Sequence, residues 1–196
     1  MKRALIAASA IAALLGFAVT AYAATHVIPP SHYNRGCHPN GKALQGNGAA
    51  DAIVGTPRRD LLRGGGGADS IVGRGASDCL FGNRGADAIR GGAGKDRIKG
   101  GGGKDRIKGN RGDDRINGNG GNDRISGRQG DDRIKGRKGN DVIHGYKGDD
   151  RIKAGPGDDT IVDLRNRNRI LCGRGFDTVV TNPQSVVKGC EDVTRT

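Results

Sequence analysis

The sequence predicts an all-β repeat protein, and three observations carry that expectation. First, from Gly91 to Val162 it reads in nines as GGAGKDRIK, GGGGKDRIK, GNRGDDRIN, GNGGNDRIS, GRQGDDRIK, GRKGNDVIH, GYKGDDRIK and AGPGDDTIV. Glycine holds the first place (Ala154 in the last of these units) and the fourth, aspartate the sixth and isoleucine the eighth. A fixed period of this kind decides the architecture before any local preference does. Second, each unit ends in an aliphatic residue flanked by two others, which is the two-residue period of a strand. The eighth place then faces inward and the seventh and ninth face out. Third, glycine at the first and fourth places permits left-handed backbone angles, so the chain can curl and aim its carbonyls at one point.

The same register continues upstream as GNGAADAIV, GTPRRDLLR, GGGGADSIV, GRGASDCLF and GNRGADAIR, and downstream as DLRNRNRIL and CGRGFDTVV. Fifteen units therefore run from Gly46 to Val180, a span of 135 residues. The sixth place is aspartate in all but Asn168, and the eighth is Ile, Leu or Val throughout. A glycine-rich disordered linker would not place an aliphatic residue at every ninth position. A carboxylate at each turn, with backbone carbonyls nearby, is the oxygen-rich surrounding that a hard divalent cation needs.

These residues resemble the RTX (repeats-in-toxin, haemolysin-type) nonapeptide family, whose pattern is G-G-x-G-x-D-x-U-x with an aliphatic U. The resemblance covers about two-thirds of the chain. It implies a parallel β-roll, a β-helix-like solenoid of fifteen repeats. In such a roll the first six residues of each unit turn around calcium and the last three form a short strand. Two units complete one coil. The ligands implied are the sixth-place Asp69, Asp87, Asp96, Asp105, Asp114, Asp123, Asp132, Asp141, Asp150 and Asp159. Fifth-place Asp113, Asp131, Asp149 and Asp158 add a second carboxylate to the strongest sets, which lie between Gly109 and Val162. The first units are poorer, because Ala49, Arg58 and Ala76 replace the fourth-place glycine and Arg58-Arg59 crowds Asp60. The unit Asp163–Leu171 has lost its turn glycines and carries Asn168, so it is expected to hold no metal.

Taken in order, the chain opens on Met1–Ala23, which reads as a secretion signal. Lys2 and Arg3 precede an apolar run, and Ala21-Tyr22-Ala23 supplies a small-x-small cleavage pattern. That run is short for a membrane span. Residues 24–45 read as an irregular lead-in containing Pro29-Pro30, and 181–196 as a C-terminal cap. His26, His32 and His38 fit no standard zinc spacing. Four cysteines in a secreted chain imply two disulfides. Of the three possible pairings, Cys37–Cys79 and Cys172–Cys190 would each fasten a terminal segment onto the nearest coils, covering the open ends of the stack.

One inward aliphatic per nine residues makes a thin core, and glycine is costly to order. Unneutralised sixth-place carboxylates would also stack along each edge. Calcium removes that repulsion, and its binding energy becomes folding energy. The charge departs from the usual acidic character of the family: 33 Lys and Arg against 21 Asp and Glu, a formal +12. The excess recurs at the seventh and ninth places, so alternate units would align Arg97, Arg115, Arg133 and Arg151 on one face. Two functional readings follow. One is a secreted, non-enzymatic calcium-binding β-roll with a structural or surface-associated role. The other is a calcium-folded protein that binds an extracellular polyanion (wall polymer, polysaccharide or nucleic acid) along the arginine column. Aromatics are too few for sequence-specific nucleic-acid recognition. Enzymatic activity is not expected, since no Ser/His/Asp or Cys/His constellation stands outside the repeats and no second domain is evident.

Overall fold

Each repeat unit contributes one strand, and successive strands alternate between two parallel sheets of ten and nine strands. The computed structural model describes residues 26–27 and 37–196, so the proposed signal segment 1–23 lies outside the described residues. Leu61–Gly65, Cys79–Arg84, Arg97–Gly102, Arg115–Gly120, Arg133–Lys138 and Arg151–Lys153 are neighbours in one sheet. Ser70–Gly75, Ala88–Ala93, Arg106–Arg111, Arg124–Gln129, Val142–Lys147 and Thr160–Asp163 are neighbours in the other. Pairing is parallel and strictly coil on coil: Ile98 lies beside Ile116 and Ile116 beside Ile134, each eighteen residues on. The protein is thus an all-β parallel solenoid. Among the described residues no helix is long and apolar enough to cross a membrane.

The eighth-place side chains form one continuous core, from Ile53 and Leu62 through Ile116 to Ile170 and Val179, all essentially inaccessible to solvent. This is the inward face expected of that place. The strands are longer than a three-residue edge, however. Arg97–Gly102 runs through the seventh to ninth places and on into the first three of the next unit, with the eighth and first places buried. The turn is correspondingly short, which sharpens the roles of the glycines. Fourth-place glycines such as Gly112 (φ 114°) do occupy the left-handed region, as expected. First-place glycines do not. The second bend falls instead at the second place, where Asn110, Asn119, Arg128, Arg137 and Tyr146 have φ of 80–88°. Asparagine tolerates that region better than the other non-glycine residues do.

The first-place glycine is needed for space. A Cβ on Gly91 would fall against the Asp96 carboxylate and within 2.7 Å of the Gly109 carbonyl oxygen. The same collision recurs at Gly100, Gly109 and Gly118.

Both terminal segments carry more structure than irregular tails. Ala43–Gln45, within the expected lead-in, pairs in parallel with Leu61–Arg63, and His26–Val27 adds an antiparallel strand outside it. At the other end Val186–Lys188 and Asp192–Arg195 extend the two sheets by one strand each. The disulfides are the two expected, Cys37–Cys79 and Cys172–Cys190. The first anchors a small second cluster of Cys37, Ala43, Leu61, Cys79 and Phe81. The second joins buried Cys172 to Cys190, which packs against the end of the main core.

Candidate metal centres

The sixth-place aspartates precede the strands, and coil-on-coil stacking arranges them in two ladders, one along each edge of the solenoid. Their side chains are buried, from Asp69 and Asp78 to Asp150 and Asp159. One oxygen of each is accounted for. Oδ1 accepts the backbone N–H of the sixth-place residue one coil earlier: Asp78 donates to Asp96, Asp96 to Asp114 and Asp114 to Asp132, each at 2.8 Å. On the other edge Asp87 donates to Asp105 and Asp105 to Asp123, each at 2.9 Å.

The second oxygen is not accounted for. Oδ2 has no hydrogen-bond partner in Asp69, Asp78, Asp87, Asp96, Asp105, Asp114, Asp123, Asp132, Asp141, Asp150 or Asp159. An unpaired buried carboxylate oxygen costs several kcal/mol in an ion-free setting, on the order of the penalty for any uncompensated buried charge. Desolvation, the leading cause, therefore pushes these carboxyls up from 3.8. Asp114 rises to about 8, Asp105, Asp132 and Asp141 to about 7, and Asp96, Asp123 and Asp150 to about 6. For Asp105, Asp114 and Asp141 the like charges one coil above and below push the same way.

The orphaned oxygens face a cradle. From Asp69 to Asp141 each Oδ2 lies against the Cβ-less side of its own first-place glycine, with the carbonyl oxygen of the first residue of the next coil alongside, as at Gly91, Gly100 and Gly109. These are hard, anionic or carbonyl oxygens in a space kept clear of side chains. That is the donor set calcium takes. Among the described residues no three His, Cys, Asp or Glu side chains converge on one point. Any such centre would therefore draw on backbone carbonyls as well as carboxylates.

The remaining aspartates differ. Asp60 has both oxygens engaged: Lys42 N–H donates to Oδ1, and Thr56 donates its N–H to Oδ2 at 2.6 Å and its hydroxyl at 3.1 and 3.2 Å. The neighbouring Arg58 and Arg59 are exposed, so Thr56 and Lys42, rather than arginine crowding, set Asp60 apart. Asp177 is similarly engaged by N–H groups of Asp159 and Gly173. Asp78, passed over in the sequence because Ala76 replaces a turn glycine, stands in the same row as the others with its Oδ2 unpaired. Ala76 adopts φ 65° and so keeps the turn.

Fifth-place Asp113, Asp131, Asp149 and Asp158 lie on the outer rim, away from the cradle. Their Oδ1 atoms accept the N–H of Asp131, Asp149, Arg167 and Phe176, forming a second, outer ladder. Asn122 and Asn140 occupy equivalent positions and accept the same bond, so the position uses an acceptor and does not require a charge. Asp113 also meets Lys95 Nζ at 2.6 Å, which holds its carboxyl below the usual range.

The arginine column is in register, with Arg97, Arg115, Arg133 and Arg151 side by side on adjacent strands and Arg169 continuing it. Arg115, Arg133 and Arg151 are exposed. Arg97 is half-buried and reaches the Cys37 sulfur at 3.9 Å.

No curated protein sequence matches the chain. The model of the RTX calcium-binding nonapeptide repeat matches in four copies, over residues 45–80, 72–107, 99–134 and 126–161. Those copies are continuous over more than half the chain and coincide with the coils bearing the unpaired carboxylates. The chain belongs to the RTX calcium-binding nonapeptide-repeat family.

Proposed function

We propose that this protein is a secreted, non-enzymatic β-roll that folds on binding calcium outside the cell and serves a structural or surface-associated role. The observation that carries the reading is the pair of buried rows of unpartnered Oδ2 atoms. A cation satisfies them, and metal-free folding leaves them uncompensated. Several calcium ions would be held by the sixth-place aspartates from Asp69 to Asp159, with Asp78 included, together with first-place carbonyls. The fifth-place aspartates support the turns from outside. Two disulfides fit an oxidising compartment, and export is consistent with the signal pattern at 1–23.

A calcium titration of two variants tests the ligand assignment. Asp114→Ala removes an oxygen from a cradle and should raise the calcium midpoint several-fold. Asp60→Ala removes a carboxylate already occupied by Thr56 and Lys42, so it should leave the midpoint nearly unchanged while lowering thermal stability. A larger midpoint shift for Asp60→Ala would reverse the ranking.

A second reading is favoured by the register of the arginine column. Arg115, Arg133 and Arg151 repeat at about 4.8 Å, the strand spacing, and match the run of charges on an extended polyanion. Binding to heparin, teichoic acid or duplex DNA should then need calcium, because unfolding scatters the column. It should weaken with salt, at a log–log slope of about −0.9 per phosphate contacted on DNA. Equal binding by the folded wild type and a folded variant with all three arginines changed to Gln would leave the basic residues as a solvated coat.

A further inference from the structure

The unit Asp163–Leu171 departs from the repeat at two places at once. Its first place, glycine in all but the last unit of the central span, is Asp163, and its sixth place, otherwise aspartate, is Asn168. The sequence alone reads this as a lost site. The structure shows that the two changes are linked in space. Asn168 keeps the ladder: its Oδ1 accepts the Asp150 N–H at 2.9 Å, while its Nδ2 donates to the Arg165 carbonyl at 2.6 Å. The side-chain atom that would have been an unpaired carboxylate oxygen is now a satisfied amide donor, so the row of orphaned oxygens is broken there.

Asp163 adds a carboxylate to the coil before. Its carboxyl turns back over Gly145, one coil earlier, so that a Cβ on Gly145 would fall against the Oδ2 atoms of both Asp163 and Asp150. At Gly127, one coil before that, the corresponding neighbours are the single carboxylate of Asp132 and the Gly145 carbonyl at 3.1 Å. Asp163 is 1% exposed, and neither of its oxygens has a hydrogen-bond partner of ordinary geometry. Burial, and then the charge of Asp150, push its carboxyl up to about 8, with the N–H groups of Arg165 and Tyr146 and the Asn168 amide pulling the other way. Two buried carboxylates with unpaired oxygens therefore converge on one cradle, which without a counter-ion is a costly arrangement.

We propose that Asp150 and Asp163 together hold a calcium ion at this cradle, Asp163 supplying a second carboxylate where the other cradles offer a first-place carbonyl. The site rests on the calcium-binding reading above, but its ligand set differs from that of every other coil. It makes the Asp150 cradle, the last on that edge before Asn168, a site with two carboxylates.

The test is the number of calcium ions bound per chain at saturation, measured by equilibrium dialysis with folding followed by circular dichroism. Asp163→Asn keeps the side chain but removes its charge and should bind one ion fewer than wild type. Asp163→Gly restores the repeat's own glycine and with it the regular Asp150 cradle, so it should keep the wild-type count. An unchanged count in folded Asp163→Asn would overturn this site alone. A wild-type chain that binds no calcium would overturn the functional reading and this site with it.

Discussion

At pH 8, removing calcium should unfold most of the chain. In millimolar calcium the far-UV circular dichroism should be β-rich, and in EDTA it should collapse toward that of a disordered chain. The half-point should lie at about 10⁻⁴–10⁻³ M, the range of extracellular calcium modules. The apolar core is one side chain wide and contributes about 1.5–3 kcal/mol per inward residue, against backbone ordering of about 1–2 kcal/mol for each of the nine residues in a unit. The two edges then add rows of desolvated carboxylates with one oxygen unpaired. The disulfides do not compensate, because Cys79 and Cys172 leave every coil between them free of cross-links. Contacts are almost all between residues a full coil apart, so loss of the edges removes the pairing partners of both neighbours at once. A spectrum already β-rich in EDTA and unchanged by calcium would refute the account.

Much of this was legible in the sequence because a period of nine with fixed places leaves few alternatives. The inward eighth place follows from counting; the alternation of units between two faces, and with it the column Arg97–Arg115–Arg133–Arg151, comes from the family resemblance, and both disulfides from which ends of the stack needed covering. What counting does not reveal is which of two similar-looking positions faces inward. Asp113 and Asp114 are adjacent and chemically identical, yet the turn buries one and leaves the other on the rim. The recurrence of Asn122 and Asn140 at the fifth place was a signal that the position asks only for an acceptor. Second-place positive φ was likewise signalled by Asn83, Asn110 and Asn119. The fate of Asp60 depended on Lys42, a residue outside the recognisable repeats, and the position of Asp163 on a side chain that turns toward the previous coil. Neither is encoded by spacing.

In the absence of calcium, the roll should be more stable near pH 5 than near pH 8. The carboxyls that titrate are those of the two rows, raised by burial from 3.8 to about 6 for Asp96 and Asp150, about 7 for Asp105 and Asp132, and about 8 for Asp114. In the unfolded chain they return to about 3.9. Between these limits the folded chain binds more protons than the unfolded one, so folding stability must fall as pH rises from about 4 to about 8 and level off above that. Calcium reverses the trend, because it competes with the same protons and binds the ionised carboxylates best at the higher pH. Thermal melts in EDTA and in millimolar calcium at pH 5 and pH 8 should therefore show opposite slopes. Asn168 shows how a row accommodates a neutral side chain, with its amide donating to a carbonyl where a carboxylate would stand alone. Changing Asp114, Asp132 and Asp150 to Asn should accordingly flatten the EDTA melt across pH and weaken the response to calcium. Melts in EDTA that rise with pH, or a triple variant as pH-sensitive as wild type, would show that these rows do not carry the linkage.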